Sequence, residues 1–406
     1  MTAQFEELLK VLGRSVFGTE YVVSENADSA AIYNLAVTQS VFPLVYPVLS
    51  EKIPLSETKW EMLFLQTVAI NERKLYRLKT VIENFEKENI DCCVLKGVSI
   101  ASVYYMPECR ASGDIDLFVY PENEKKVIAI LEKMGMNIVP RNEGEQHFEA
   151  YDKTAGLIEI HVTLYSKMLD DVVFKNRFGV TEPFVRIDTK NGLEVNSLGL
   201  EDNLNFLTAH IIKHFIREGC GIRQVTDLLG FVNANKERIN FEKYFSVLKE
   251  IKFDKFIKNI FGIGVKYFGL HIDNYETELS DKILNDIETG GSFGHGDNER
   301  NGFYEKFLRI RSEMSSDEFN KNLDKKRKQS IVKSIFLPGK GFLVRKGYTY
   351  LEKSPLLYPV AYIHRLFDVL KLLVRKKRKI SDINYKEKTN STIDDRMELM
   401  KEIKII

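Results

Sequence analysis

At 406 residues the chain is long enough for two or three domains, and 44% hydrophobic with 29% charged residues is the make-up of a globular protein that buries sizeable cores. A net charge of +1 supplies no overall field for nucleic acid or anionic membrane, so such partners would need local clusters. Cys92, Cys93, Cys109 and Cys220 contain no C-x-x-C pair, which argues against a disulfide framework or a zinc–cysteine site and fits a reducing, cytoplasmic setting. The acidic N-terminus reads as no signal peptide, and the apolar run Val41 to Leu49 is short and carries Pro43 and Pro47, so no bilayer span is expected there.

In chain order, residues 1–90 read as a helical region. Phe5, Leu8, Leu9, Leu12 and Val16 recur at helical spacing, and residues 27–50 read as a helix running into a proline-punctuated segment. Residues 57–88 form a long charged helix with Leu75, Leu78, Ile82 and Phe85 as its apolar stripe. Residues 91–199 change texture and read as an α/β core. Strands are expected at Cys92–Leu95, Asp114–Tyr120, Met136–Val139, Gln146–Tyr151 and Leu157–Leu164, with a helix beginning near Pro121 and ending at Gly135. Residues 200–290 return to helix as a separate helical domain. Residues 291–380 form a basic, turn-rich C-terminal arm, and residues 381–406 a polar, mobile tail. The fold class is α+β: a small mixed sheet flanked by N-terminal and C-terminal helical regions.

One stretch carries the chemistry. Asp114 and Asp116 sit two apart in an otherwise apolar strand, so they share a face. Aspartate is a poor strand former, and two carboxylates about 4 Å apart repel by roughly 4 kcal/mol at an effective dielectric near 20. A cation removes that cost. Glu159 lies on a later strand with His161 on its own face and Ile158 and Ile160 on the other. Two carboxylates on one strand and a third on a neighbour can hold two Mg²⁺ for phosphoryl or nucleotidyl transfer. The competing reading is an exposed acidic strand face.

Leu95-Lys96-Gly97-Val98-Ser99 stands at a strand-to-helix junction, where Gly97 lets a phosphate approach the backbone and Lys96 and Ser99 add a charge and a hydroxyl. A plain turn glycine explains the same residues. His210 and His214 share a helix face, as do Arg223 and Asp227 on the next helix. They read either as a lid over the site or as a partly buried histidine pair and a structural Arg–Asp bridge. Gly290 to Asp297 reads as a loop over an acceptor or an ordinary connection. The basic run Arg375 to Lys379, after an apolar stretch, admits peripheral membrane contact. It lacks the interleaved aromatics of a nucleic-acid platform.

With these residues in view, the chain resembles the polymerase-beta-like nucleotidyltransferase superfamily. More closely, Leu95-Lys-Gly, Arg110…Gly-Asp-Ile-Asp-Leu117 and Ile158-Glu-Ile-His161 look like a bacterial nucleotidyltransferase family often found beside cell-envelope polysaccharide genes. The likeness extends to Lys213-His214, to Gly221–Asp227, to Gly291–Gly294 and to Tyr350–Pro359. Val98 follows Gly97 where the superfamily turn carries Gly or Ser, and the third carboxylate is Glu rather than Asp. The resemblance implies a Mg²⁺-dependent nucleotidyltransferase that moves a nucleoside monophosphate from an NTP to a hydroxyl acceptor: a sugar, a lipid-linked intermediate, a protein or a small alcohol. It implies two Mg²⁺ on Asp114, Asp116 and Glu159, and nucleotide contacts at Lys96, Gly97, Ser99, Arg110 and Gly113. His161, His210, His214, Arg223 and Asp227 would serve the acceptor or the lid. Two alternatives stay open: a metal-dependent glycosyltransferase using D-x-D, and a non-catalytic nucleotide-binding protein on the same fold.

Overall fold

A computed structural model describes residues 1–24, 27–50, 58–153, 156–189, 192–217, 219–291 and 391–406, with isolated positions between 304 and 360. The chain divides into two units, residues 1–304 with 395–406, and residues 305–394. The first unit holds every element that positions the candidate site. The part of the expected loop from Ser292 to Asp297 and the basic run at 375–379 lie outside the described residues.

The N-terminal region is helical, as its periodicity predicts: α1 (Ala3–Phe17), α2 (Ser29–Thr38), α3 (Phe42–Ser50) and α4 (Thr58–Lys87). In α1, the Thr2 side chain accepts from the Phe5 amide at 3.2 Å, and Gly18 closes the helix at φ 71° with its N–H on the Arg14 carbonyl. The left-handed cap suits glycine because a side chain there would be strained. All five residues of the expected α1 stripe, Phe5, Leu8, Leu9, Leu12 and Val16, are buried.

The core carries β1 (Cys92–Val94), the short α5 (Val98–Ala101), β2 (Ile115–Val119), α6 (Glu124–Lys133), β3 (Asn137–Val139), β4 (His147–Asp152) and β5 (Gly156–His161). These strands form one mixed sheet in the order β1-β2-β5-β4-β3, with β2 and β5 parallel and every other neighbour antiparallel. Strand alternation sorts its faces. Ile115, Leu117, Val119, Phe148, Ile158 and Ile160 turn towards Leu78, Val81, Ile82 and Phe85 of α4 and Val127 and Leu131 of α6, forming one core. Each such side chain contributes about 1.5–3 kcal/mol by leaving water. Asp116, Glu159, His161 and His147 turn the other way.

After the one-turn α7 (Lys167–Leu169), a hairpin absent from the sequence-based expectation, β6 (Val185–Asp188) with β7 (Glu194–Ser197), completes the core. The helical region follows: α8 (Leu200–Ile216), α9 (Ile222–Asn235), α10 (Phe241–Glu250), α11 (Asp254–Ile263) and α12 (Ser280–Gly290). At the start of α9, Gln224 Oε1 accepts from the Gly221 amide at 2.9 Å and Gln39 Oε1 from the Ile222 amide at 3.1 Å. The stretch read as a mobile tail contains α13 (Ser391–Glu402). Its Arg396 is buried, pairs with Asp286 and donates to the Phe215 carbonyl at 2.5 Å. Met397, Met400 and Ile403 are buried with it. A helical apolar stripe therefore orders a segment whose overall polarity suggested the reverse. No described helix is long and apolar enough to cross a membrane.

Candidate active site

Asp116 and Glu159 are direct register partners on the parallel pair β2–β5, and Asp114 immediately precedes β2. Ligand oxygens of all three carboxylates lie within 4.8 Å of one another. Lys96, just beyond β1, places Nζ 3.2 Å from Asp116 Oδ1 and 3.9 Å from Asp114 Oδ2. His161 Nε2 lies 3.2 Å from the same Asp116 oxygen and 3.5 Å from Glu159 Oε2. Burial pushes the Asp116 carboxyl up, but Lys96 and His161 together outweigh it and hold it below the ordinary range. Burial likewise opposes ionisation of Glu159, and the histidines and Lys96 overcome it, bringing Glu159 to about 2. The reciprocal effect raises His161 and Lys96 against the pull of burial. The two carboxylates are thus held ionised by their neighbours.

The turn before Asp114 is built from afar. Lys74 of α4, itself buried, donates to the carbonyls of Ser112 at 2.5 Å and Gly113 at 2.8 Å. The Ser112 hydroxyl donates to the Asp114 carbonyl at 2.6 Å. Opposite stands Gly97, at φ +66°. The backbone angle strains any other residue, and a Cβ there would crowd Ser112 Oγ at 3.1 Å. Ser99 is buried in α5 with its hydroxyl on the Leu95 carbonyl at 3.0 Å, and it does not line the cavity. Ser112 occupies the wall instead.

The facing wall comes from α8 and α9. His210, Lys213, His214 and Arg217 follow one another at i, i+3, i+4 and i+7 and, with Arg223 of α9, line the same cavity of about 580 Å³ as Asp114 and Glu159. The His210 and His214 rings meet edge to face at 4.5 Å. Burial, then neighbouring cations, pushes this wall towards neutrality: Lys213 falls to about 8, Arg223 falls below its ordinary value, and both histidines fall well below theirs.

Asp227 takes its bidentate partner from elsewhere than the four-residue spacing to Arg223 suggested. It receives that pair from Arg110, Nε to Oδ1 at 3.0 Å and Nη2 to Oδ2 at 2.5 Å, and a third bond from the Tyr104 hydroxyl at 2.7 Å. Arg110, expected as a nucleotide contact, is therefore engaged in a buried pair between positions 117 residues apart, although both partners border the cavity. Sequence reasoning gave no site role to Lys74, Ser112, Lys213 or Arg217, although Lys213 stood within the family resemblance. For Lys213 and Arg217 a signal existed: they continue the helical face of His210 and His214.

The residues suit a hard divalent cation. The triad offers only oxygen donors, and Asp116 Oδ2 is buried without a hydrogen-bond partner among the described residues. An ionised, buried oxygen left bare is costly unless a cation meets it. An acidic strand wall that fits such ions, set against a cationic helical wall, is the arrangement of an enzyme of nucleotidyl transfer. The chain belongs to the uncharacterised nucleotidyltransferase family, whose model matches residues 25–269. Among solved structures, it is similar to lincosamide antibiotic adenylyltransferase LnuA in its lincomycin-bound form. The identity is 18%, over 39% of this chain and 95% of that one, at a TM-score of 0.27. It is also similar to the antibiotic-resistance factor ANT(2'')-Ia, at 12% identity over 46% of this chain and 96% of that one, with a TM-score of 0.30. A search of curated proteins returns no match.

Proposed function

We propose that this nucleotidyltransferase is Mg²⁺-dependent and moves a nucleoside monophosphate from an NTP to a hydroxyl-bearing acceptor at the Asp114–Asp116–Glu159 centre. The observation that carries the reading is the convergence of three carboxylates around the bare Asp116 Oδ2. Asp114 and Asp116 would hold two Mg²⁺, with Glu159 completing the catalytic one, and the ions would neutralise phosphate charge as the bond breaks.

The chain's own residues do the rest. Lys213, Arg217 and Arg223 meet the triphosphate from the opposite wall. Gly97 lets the turn close against Ser112, which itself lines the cavity beside Lys96 and Gly113. The acceptor oxygen bonds to the α-phosphorus, the α–β bridge bond breaks and pyrophosphate leaves. The hydroxyl proton is taken at the Glu159–His161 pair. Lys74 and the Arg110–Asp227 pair hold the two walls in place. The glycosyltransferase alternative calls for a longer parallel nucleotide-binding unit ahead of the D-x-D. Among the described residues, one three-residue strand precedes it, antiparallel to β2.

The test is pyrophosphate release and product labelling from radiolabelled NTPs with Mg²⁺ and a panel of sugars, lipid-linked intermediates and alcohols, beside Asp116→Ala. Transfer that survives that substitution would refute the assignment.

A further inference from the structure

Beside the acidic triad, the strand wall carries a second cluster. His147 and His161 are direct cross-strand partners on β4 and β5, and Glu159 stands two residues before His161 on the same face. The three side chains thus converge by register, while Phe148 and Ile160 beside them turn into the core. His147 Nε2 lies 3.7 Å from Glu159 Oε1, and His161 Nε2 lies 3.5 Å from Glu159 Oε2. Donor atoms of all three fall within 4.8 Å of one another. Two donors about 2.0–2.1 Å from a four-coordinate zinc stand roughly 3.4 Å apart, so both histidine–glutamate separations are close to those of ligands on one ion.

One further observation points to a ligand. The His161 side chain is 3% exposed and lines the cavity. A pair of imidazoles whose Nε2 atoms face one carboxylate is also a different donor set from the all-oxygen triad. Oxygen donors suit Mg²⁺, whereas imidazole favours borderline transition ions.

We propose that His147, Glu159 and His161 form a binding site for a borderline divalent cation of the Zn²⁺ class, distinct in preference from the Asp114–Asp116 side and sharing Glu159 with it. The site extends the proposed function and rests on it for the role of Glu159. Three protein donors leave a coordination position facing the cavity, as in catalytic rather than structural zinc sites. The affinity order expected for this donor set is Zn²⁺ above Mn²⁺ above Mg²⁺.

The test uses the full chain stripped of metal and titrated calorimetrically with Zn²⁺, Mn²⁺ and Mg²⁺ separately. His147→Gln, at a side chain 24% exposed and so tolerant of change, should weaken Zn²⁺ binding by roughly 100-fold or more. That exceeds the 10- to 100-fold typical of losing an outer-shell partner. Mg²⁺-dependent stabilisation by NTP should persist in the same variant. On the unmutated protein, zinc-edge X-ray absorption should show two imidazole nitrogens in the coordination sphere, a readout that needs no variant to fold. Zinc that binds no tighter than Mg²⁺, binding unchanged in His147→Gln, or a spectrum without imidazole would each overturn the site. Any of these results leaves the nucleotidyltransferase reading standing if Asp116→Ala alone abolishes Mg²⁺-dependent stabilisation by NTP.

Discussion

The two walls of the cavity resolve their charge in opposite ways. On the strand wall Asp116 and Glu159 are held below their ordinary range because Lys96 and His161 stand close by. On the helical wall Lys213, His210, His214 and Arg223 are pushed down by burial and by neighbouring cations. The first wall is compensated inside the protein; the second sets the crowded cations Lys213 and Arg223 beside two histidines driven towards neutrality, and an anion would relieve the repulsion. Ligand charge divides accordingly. On the proposed function, small cations would go to the bare Asp116 oxygen and phosphate to α8 and α9.

Substitutions that disturb one wall at a time put this contrast to the test. The largest effect is expected at Asp116→Asn, which removes a buried carboxylate that a catalytic cation would need. A loss of several kcal/mol of transition-state stabilisation is about 10³-fold in rate, read as NTP-dependent pyrophosphate release. The next concerns the pair that ties the walls together. Asp227→Ala strips Arg110 of its buried carboxylate, and a loss of about 3–5 kcal/mol of stability is expected by denaturant unfolding. An unchanged midpoint would mean that Arg110 finds water or another partner.

Lys213→Met tests the crowding directly. Removing one cation should raise the melting temperature of the ligand-free protein slightly, yet weaken NTP binding about 10-fold, roughly 1.4 kcal/mol. A fall in both would show that Lys213 is compensated and the contrast is wrong. The smallest effect is on pH. Lys213 sits at about 8 when folded, below its ordinary 10.5. Between those values the unfolded chain holds the proton that the folded chain has lost. Stability should therefore rise as pH climbs from about 8 towards about 10.5, while NTP affinity falls as Lys213 loses its charge. Thermal melts and nucleotide titrations across that window check both slopes, and both should vanish in Lys213→Met.

The strand wall was far more readable in the sequence than the helical one. Period-two alternation alone places Asp114 and Asp116 on one face and Glu159 with His161 on another strand, opposite the apolar residues. The helical stripe of α4 was equally plain, because Leu75, Leu78, Ile82 and Phe85 repeat at helical spacing and all are buried. The helical wall carried the same kind of signal. His210, Lys213, His214 and Arg217 share one face, but Lys and Arg on a helix are usually solvated, and nothing local says that this face turns inward. Asp227 shows the limit of local spacing. Its nearest candidate on the helix was Arg223, but the bidentate partner is Arg110, brought in by packing.

Which side chains share a face was decided in the sequence, since that follows from backbone period within one element. The carboxylates of the centre, the helical flanks and the mixed core were all legible on that basis. Only the tertiary structure decided what those faces meet. The Asp116–Glu159 register joins strands separated by α6, β3 and β4. The Lys74 clamp on Ser112 and Gly113 spans 38 and 39 residues. Such contacts depend on how elements dock, and docking is set by the whole core at once rather than by any residue's neighbours in the chain.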